Sequence, residues 1–154
     1  MIAFVLSLFV LHALSPHLLQ GSVLKASAGP YRCEVDLQKN SVYRVEWGAG
    51  YNGPGEVYPA ATLIQRIRFW KSKQQVVVPL SAFSDLGDCH TVHLKAAGRT
   101  CIIQLNGGDA SIGWSATITV KSGRVVRREV HDGEFPDRFY EVTQYVVKPA
   151  PAGE

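Results

Sequence analysis

Residues 112–131 read IGWSATITVKSGRVVRREVH, and the alternation of apolar and polar side chains in this segment decides the fold class. Every second residue from Trp114 to Val120 is apolar, and small polar residues lie between them. This period of two is typical of a strand that buries one face. A Lys-Ser-Gly turn follows, and a second run of this kind begins at Arg124. The segment therefore predicts a β-hairpin.

The register of this hairpin depends on the length of its loop. We predict a three-residue loop that ends in Gly123, because this register sets Ile118 opposite Val126 on the buried face. A two-residue loop would set Ile118 opposite Arg127 and bring charge onto that face. With three residues only Arg128 falls on the apolar face, where we expect a solvated sheet edge, the alternative being a pair with an acid.

Similar short runs recur along the chain between clusters of Gly, Pro and Asn, and we find no long stretch with helical periodicity. The predicted strands are residues 31–37, 41–47, 62–70, 75–79, 91–95, 100–105, 112–120, 124–131 and 138–147. Each has an apolar face to bury within a small chain. We therefore predict an all-β protein, an antiparallel β-sandwich of about eight or nine strands, with a small β-barrel as the alternative.

The first 28 residues differ in composition from the rest. Residues 1–14 are almost wholly apolar, and no acidic residue precedes Glu34. The apolar run is shorter than the roughly 20 residues that cross a bilayer, and Ala26-Ser27-Ala28 fits a signal-peptidase site. We predict a cleavable signal peptide over residues 1–28 and export to the periplasm or the extracellular space. An uncleaved membrane anchor is the alternative.

The remaining chain is long enough for one core. We predict a single domain over residues 29–154, with a short disordered C-terminal tail from about residue 148, and no membrane-spanning part after cleavage. Hydrophobic residues make up 46% and charged residues 19% of the chain, which is the balance of a globular protein. The formal net charge of +3 is too mild to indicate a nucleic-acid partner.

The chain contains three cysteines, Cys33, Cys89 and Cys101. An oxidising compartment favours pairing of two of them. Cys89 and Cys101 enclose the shortest loop, which costs the least entropy to close. We therefore predict a Cys89–Cys101 disulfide, the alternative being that all three are buried thiols.

The densest group of potential metal ligands is Asp85, Asp88, His90 and His93. Their spacing does not favour a metal, because His90 and His93 lie three positions apart on a predicted strand and so point to opposite faces. We predict no metal and no cofactor, and the four residues remain the centre of the alternative enzymatic reading.

The basic strand over residues 62–70 carries the candidate binding surface. If Leu63, Ile67 and Phe69 face the core, the arginines and the tryptophan of this strand share the other face. Cationic and aromatic side chains of this kind bind glycans, anionic lipids or acidic protein patches, although positive charge also protects edge strands from pairing. Three aromatic residues in or beside the glycine-rich loop of residues 48–55 are further candidates. The candidate binding residues are therefore Arg66, Arg68, Trp70, Trp47, Tyr51 and Tyr58.

The sequence contains no catalytic motif that we recognise. No serine lies in a G-x-S-x-G turn, and the spacing of the histidines matches none of the known catalytic motifs. We therefore expect a small exported binding protein without catalytic activity, with a protein or glycan partner in the envelope. One alternative is a small envelope hydrolase or metal-dependent enzyme centred on residues 85–93. Another is a structural envelope component that docks by edge-strand addition.

Overall fold

The computed structural model of the protein describes residues 21–40, 60–108 and 113–146. These residues contain nine strands and a short 3-10 helix, Leu80–Ala82. The strands are β1 (Val23–Ala28), β2 (Tyr31–Lys39), β3 (Thr62–Lys71), β4 (Gln74–Val76), β5 (Cys89–Ala97), β6 (Thr100–Gly107), β7 (Trp114–Lys121), β8 (Arg124–Asp132) and β9 (Phe139–Gln144). The predicted strand at residues 41–47 and the predicted tail from about residue 148 lie outside the described residues.

The strands form two antiparallel sheets. Sheet A has the order β1-β2-β3-β4, and sheet B has the order β5-β6-β7-β8-β9. Each sheet ends in edge strands and is not closed on itself, so the predicted β-sandwich is confirmed and the barrel alternative is wrong. Every connection within sheet B is a link between neighbouring antiparallel strands, as the short alternating runs of the sequence predict.

The core lies between the inner faces of the two sheets. Val35 and Phe69 from sheet A and Ile103 and Ile118 from sheet B are fully buried. The segment between β4 and β5 adds buried side chains to the same core, Ala82, Phe83 and Leu86. Its backbone also follows β3, where the N–H of Ile64 donates to the carbonyl of Leu86.

Strand β1 was not among the predicted strands, because its residues resemble the end of a signal peptide. It pairs with β2 over its whole length, with Leu24 opposite Val35 and Ala28 opposite Tyr31. Leu24 and Ala26 pack against the core and are partly buried. Residues 1–20 lie outside the described residues, so the leader itself stays a prediction. The predicted cut after Ala28 would fall in the turn between β1 and β2.

The predicted register of the β7–β8 hairpin is wrong. Lys121 pairs with Arg124, so the loop has two residues, Ser122 and Gly123. Both have positive φ, 52° and 79°, as the hairpin turn that matches the strand twist requires. A β-bulge next to this loop turns Arg127 to the outer face and places Arg128, rather than Arg127, on the buried face.

The bulge lies one step from the turn. Val120 pairs with Val125, but Thr119 pairs with Arg127, so that Val126 is an extra residue. The bulge shifts the register by one, so that Ile118 lies opposite Arg128 and not opposite Arg127, the partner that a two-residue loop without a bulge would give. The predicted partner was Val126. A similar irregularity in β3, at Gln65, turns Ile64 rather than Leu63 into the core.

Candidate interaction surfaces

The predicted binding residues of β3 lie on the outer face of sheet A. Arg66 is opposite Asp36, Arg68 is opposite Glu34, and Trp70 is opposite Arg32. Trp47, Tyr51 and Tyr58, the other predicted binding residues, lie outside the described residues.

The two arginines are held by acids of the neighbouring strand. Arg66 Nη2 lies 2.8 Å from Asp36 Oδ2, and Arg68 Nη2 lies 2.7 Å from Asp36 Oδ1 and 3.0 Å from Glu34 Oε2. Burial alone would raise the pKa of the Asp36 carboxyl, but the hydrogen bonds from Arg66 and Arg68 outweigh it and lower that pKa. The positive charge of Arg66 and Arg68 is therefore largely neutralised within the sheet. An anionic ligand would have to displace one of these ion pairs.

The aromatic member of this surface is also covered. The Arg32 guanidinium lies over the Trp70 ring, 4.2 Å from its centroid. A cation–π contact of this kind occupies the ring face on which a sugar would stack. The outer face of sheet A is thus a network of internal pairs, and binding there would require Arg32 to move.

The structure does not bring the four metal-ligand candidates together. Asp85 pairs with Arg128, and Asp88 accepts hydrogen bonds from the N–H groups of Ala61 and Thr62 at 3.1 and 2.8 Å. His90 Nε2 lies 2.7 Å from the carbonyl oxygen of Gly108. His93 is exposed on β5. Within residues 21–40, 60–108 and 113–146, no group of three or more His, Cys, Asp or Glu side chains is placed to hold a metal ion.

The predicted Cys89–Cys101 disulfide is wrong. The three cysteines are free and buried. Cys89 pairs with Gly107 at one end of the β5–β6 hairpin, whereas Cys101 pairs with Ala96 near its turn. Six residues of extended strand separate Cys101 from Gly107, roughly 20 Å, which is far beyond the span of a disulfide. Burial raises the pKa of the Cys33 and Cys89 thiols to about 12, so both are protonated and unreactive.

Arg128 lies inside the sandwich with two acids. Its side chain is 1% exposed, and its two terminal nitrogens each lie 2.6 Å from a carboxylate oxygen, one of Asp85 and one of Glu141. The predicted solvated edge is therefore wrong, and the alternative, a pair with an acid, is confirmed. The Thr143 hydroxyl also donates to Glu141.

Among the described strands, β9 is an edge strand of sheet B. Its outward side chains include Phe139 and Val142, which are 55% and 44% exposed. Phe135, in the preceding loop, is also exposed, with Arg138 over its ring. No described strand pairs with the outer side of β9.

The other sheet edges are better protected. Strand β4 has only three residues, and β1 and β5 lie side by side where the two sheets meet. Strand β9 contains no Lys, Arg or Pro, and its one charge, Glu141, is turned inward to Arg128. Natural edge strands often carry outward lysine, another charged residue or proline, which prevents pairing with other chains. The sequence prediction did not assign this surface to binding, although Val142 and Gln144 are uncharged outward positions of the strand.

Comparison with known proteins does not assign the chain to a family. No protein-family model, no curated protein and no solved structure matches the chain. Within the described residues we find no helix with the length and apolar character of a membrane span.

Proposed function

We propose that this chain is an exported, non-catalytic binding protein that binds an extended segment of a partner polypeptide along β9. The observation that carries the proposal is the free, uncharged and apolar edge of that strand. In strand addition of this kind, main-chain hydrogen bonds supply affinity and alternate side chains supply specificity.

The backbone of β9 has groups in place for such a ladder. The N–H of Tyr145 donates to the Val126 carbonyl on β8 at 3.0 Å. Because neighbouring residues of a strand direct their backbone groups to opposite edges, the N–H and C=O of Val142 and Gln144 point to the free side. An added strand would pair with these groups and cover Phe139 and Val142.

The inward-facing carboxylate of Glu141 on β9 does not oppose the addition of a partner strand. A strand laid beside β9 would reduce the exposure of the Glu141 carboxylate, and burial of an unpaired charge is costly. Glu141 is already paired with Arg128 at 2.6 Å and accepts a hydrogen bond from Thr143. The charge would therefore be buried as part of an existing pair.

The test compares two substitutions at one position. Val142→Pro removes a free-edge N–H while leaving every bond from β9 to β8 intact, and proline is tolerated on edge strands in that orientation. Val142→Thr keeps the backbone donor and strand propensity. We expect wild type and Val142→Thr to retain the same partner from an envelope extract of the host, identified by mass spectrometry, and Val142→Pro to lose it.

Two outcomes would contradict the proposal. One is a partner retained equally by Val142→Pro, or no saturable partner at all. The other is a wild-type dimer in sedimentation equilibrium that Val142→Pro converts to monomer, which would assign the edge to a second copy of this chain. Circular dichroism of the three proteins checks that the substitutions leave the fold intact.

A further inference from the structure

Four hairpin turns lie in two neighbouring pairs. In sheet A, the β1–β2 and β3–β4 turns are adjacent, since the Ser72 N–H donates to the Pro30 carbonyl at 2.6 Å. In sheet B, the β5–β6 and β7–β8 turns are adjacent, since the Ser122 N–H donates to the Arg99 carbonyl at 3.0 Å.

Both pairs lie at the same end of the sandwich. The opposite end is marked by residues 86–88, which contact both sheets. The Asp88 N–H donates to the Thr62 carbonyl where β3 begins, and the Trp114 indole N–H donates to the Gly87 carbonyl where β7 begins. With β1 and β5 side by side, the four turns share the far end, which we call the hairpin end.

The hairpin end is strongly basic. Six cationic residues lie in its turns or within two residues of them, Arg32, Lys71, Lys73, Arg99, Lys121 and Arg124. Five of them are exposed and Lys71 is half-buried, and none forms an ion pair with a described acid. Among the described residues, no Asp or Glu lies within three positions of the four turns.

The described acids lie elsewhere. Glu34, Asp36 and Glu129 are paired with arginines on the outer faces of the sheets, and Asp88 and Asp132 lie at the opposite end of the sandwich. Among the described residues, acids are therefore absent from the hairpin end, where six cationic residues are concentrated. A local field of this kind acts on a partner that approaches one end.

We infer that the hairpin end docks on the surface of a bilayer that contains anionic phospholipids. Two sheets about 10 Å apart, each with neighbouring strands about 5 Å apart, present the cations on the tips of turns over a small area. These separations are close to a Debye length of roughly 8 Å, so the charges act together on one partner. The cations lie on four hairpin turns that are spread over the end of the sandwich. This arrangement matches the many phosphates of a flat membrane surface better than it matches a single anion or a polymer chain bound in a groove.

An aromatic side chain lies beside this charge. Trp70 is half-buried next to Arg32, near the turn between β3 and β4. An amphipathic ring at the border of a cationic surface is typical of residues that lie at the headgroup level of a membrane.

The test measures co-flotation of the full chain with vesicles of phosphatidylcholine, with and without phosphatidylglycerol. A retained apolar leader would bind both vesicle types, so the difference between them is the readout. Each cation near an anionic surface contributes roughly fivefold in affinity. Lys73→Glu with Arg99→Glu is therefore expected to lower binding to the anionic vesicles at least tenfold, and added salt is expected to weaken wild-type binding.

The matched control is Lys39→Glu with Arg138→Glu, which changes the net charge equally but lies away from the hairpin end. We expect it to bind within about twofold of wild type. Equal losses in the two double variants, equal binding to both vesicle types, or binding to soluble dextran sulfate without binding to vesicles would each overturn the inference. Val142→Pro is expected to leave vesicle binding unchanged, which separates this inference from the proposed strand addition.

Discussion

At the scale of single residues, Arg128 connects parts of the chain that are far apart in sequence. It lies on β8, while its partners come from the segment between the sheets (Asp85) and from the edge strand β9 (Glu141). A buried cation is tolerated only when acids compensate its charge. Arg128 therefore links β8 both to the segment between β4 and β5 and to the edge strand β9.

Replacing Arg128 with methionine should destabilise the protein. The substitution keeps apolar length but leaves two carboxylates without their partner, and because both acids are about a third exposed the cost is discounted to about 2 kcal/mol in the free energy of unfolding. Arg127→Met removes a pair on the outer face, Arg127–Glu129 at 2.8 Å, and should have a much smaller effect because solvent screens exposed ion pairs. Urea unfolding measures both, and equal effects would show that Arg128 has no special role.

At the scale of elements, β1 extends the folded domain into residues that resemble a leader. Its hydrogen bonds cover one edge of β2, and Leu24 and Ala26 pack on the core. Loss of β1 would uncover apolar side chains and leave β2 as an exposed edge. We therefore expect any cleavage near the N-terminus to occur before Val23, rather than after Ala28.

Two substitutions test the place of β1 in the mature protein. Leu24→Asp sets a charge against the core and should lower the free energy of unfolding by about 2 kcal/mol. Lys25→Ser changes an outward, exposed side chain and should have an effect within about 0.5 kcal/mol. If the exported chain begins at Gly29 by intact mass, and the two variants unfold alike, β1 is not part of the mature domain.

At the scale of the whole molecule, acids held by hydrogen bonds from neighbouring side chains make stability depend on pH. Hydrogen bonds from Arg127 lower the pKa of Glu129, and those from Arg66 and Arg68 lower the pKa of Asp36 against the effect of burial. A hydrogen bond from Thr143 is the main cause that lowers the pKa of Glu141.

Carboxyls whose pKa is lower in the folded than in the unfolded chain stabilise the fold above the unfolded pKa of about 4, and this contribution is lost as pH falls through the folded value. The urea midpoint should therefore be stable above about pH 5 and fall as the pH drops below about 4. The Asp36→Asn variant should unfold at a lower urea concentration at neutral pH, and its urea midpoint should depend less on pH. A wild-type midpoint that does not fall at acid pH would show that these carboxyls do not stabilise the fold.

Much of the fold was predictable because strand formation leaves a local pattern. The alternation of residues 112–120 identified β7 and its buried face, and the recurrence of such runs predicted a sandwich. The candidate site was predicted in part. Arg66, Arg68 and Trp70 do share an outer face, but their charges and ring are already engaged by Asp36, Glu34 and Arg32.

What the sequence by itself determined is the identity of most strands and the all-β class, since a period of two is a property of neighbouring residues. The tertiary structure alone decided the register of the β7–β8 hairpin, the partners of Arg128, the separation of Cys89 from Cys101 and the position of β9 as a free edge. Asp85 and Arg128 lie 43 positions apart and Asp36 and Arg66 lie 30 apart. Such pairings depend on how distant strands meet, and no local pattern records that.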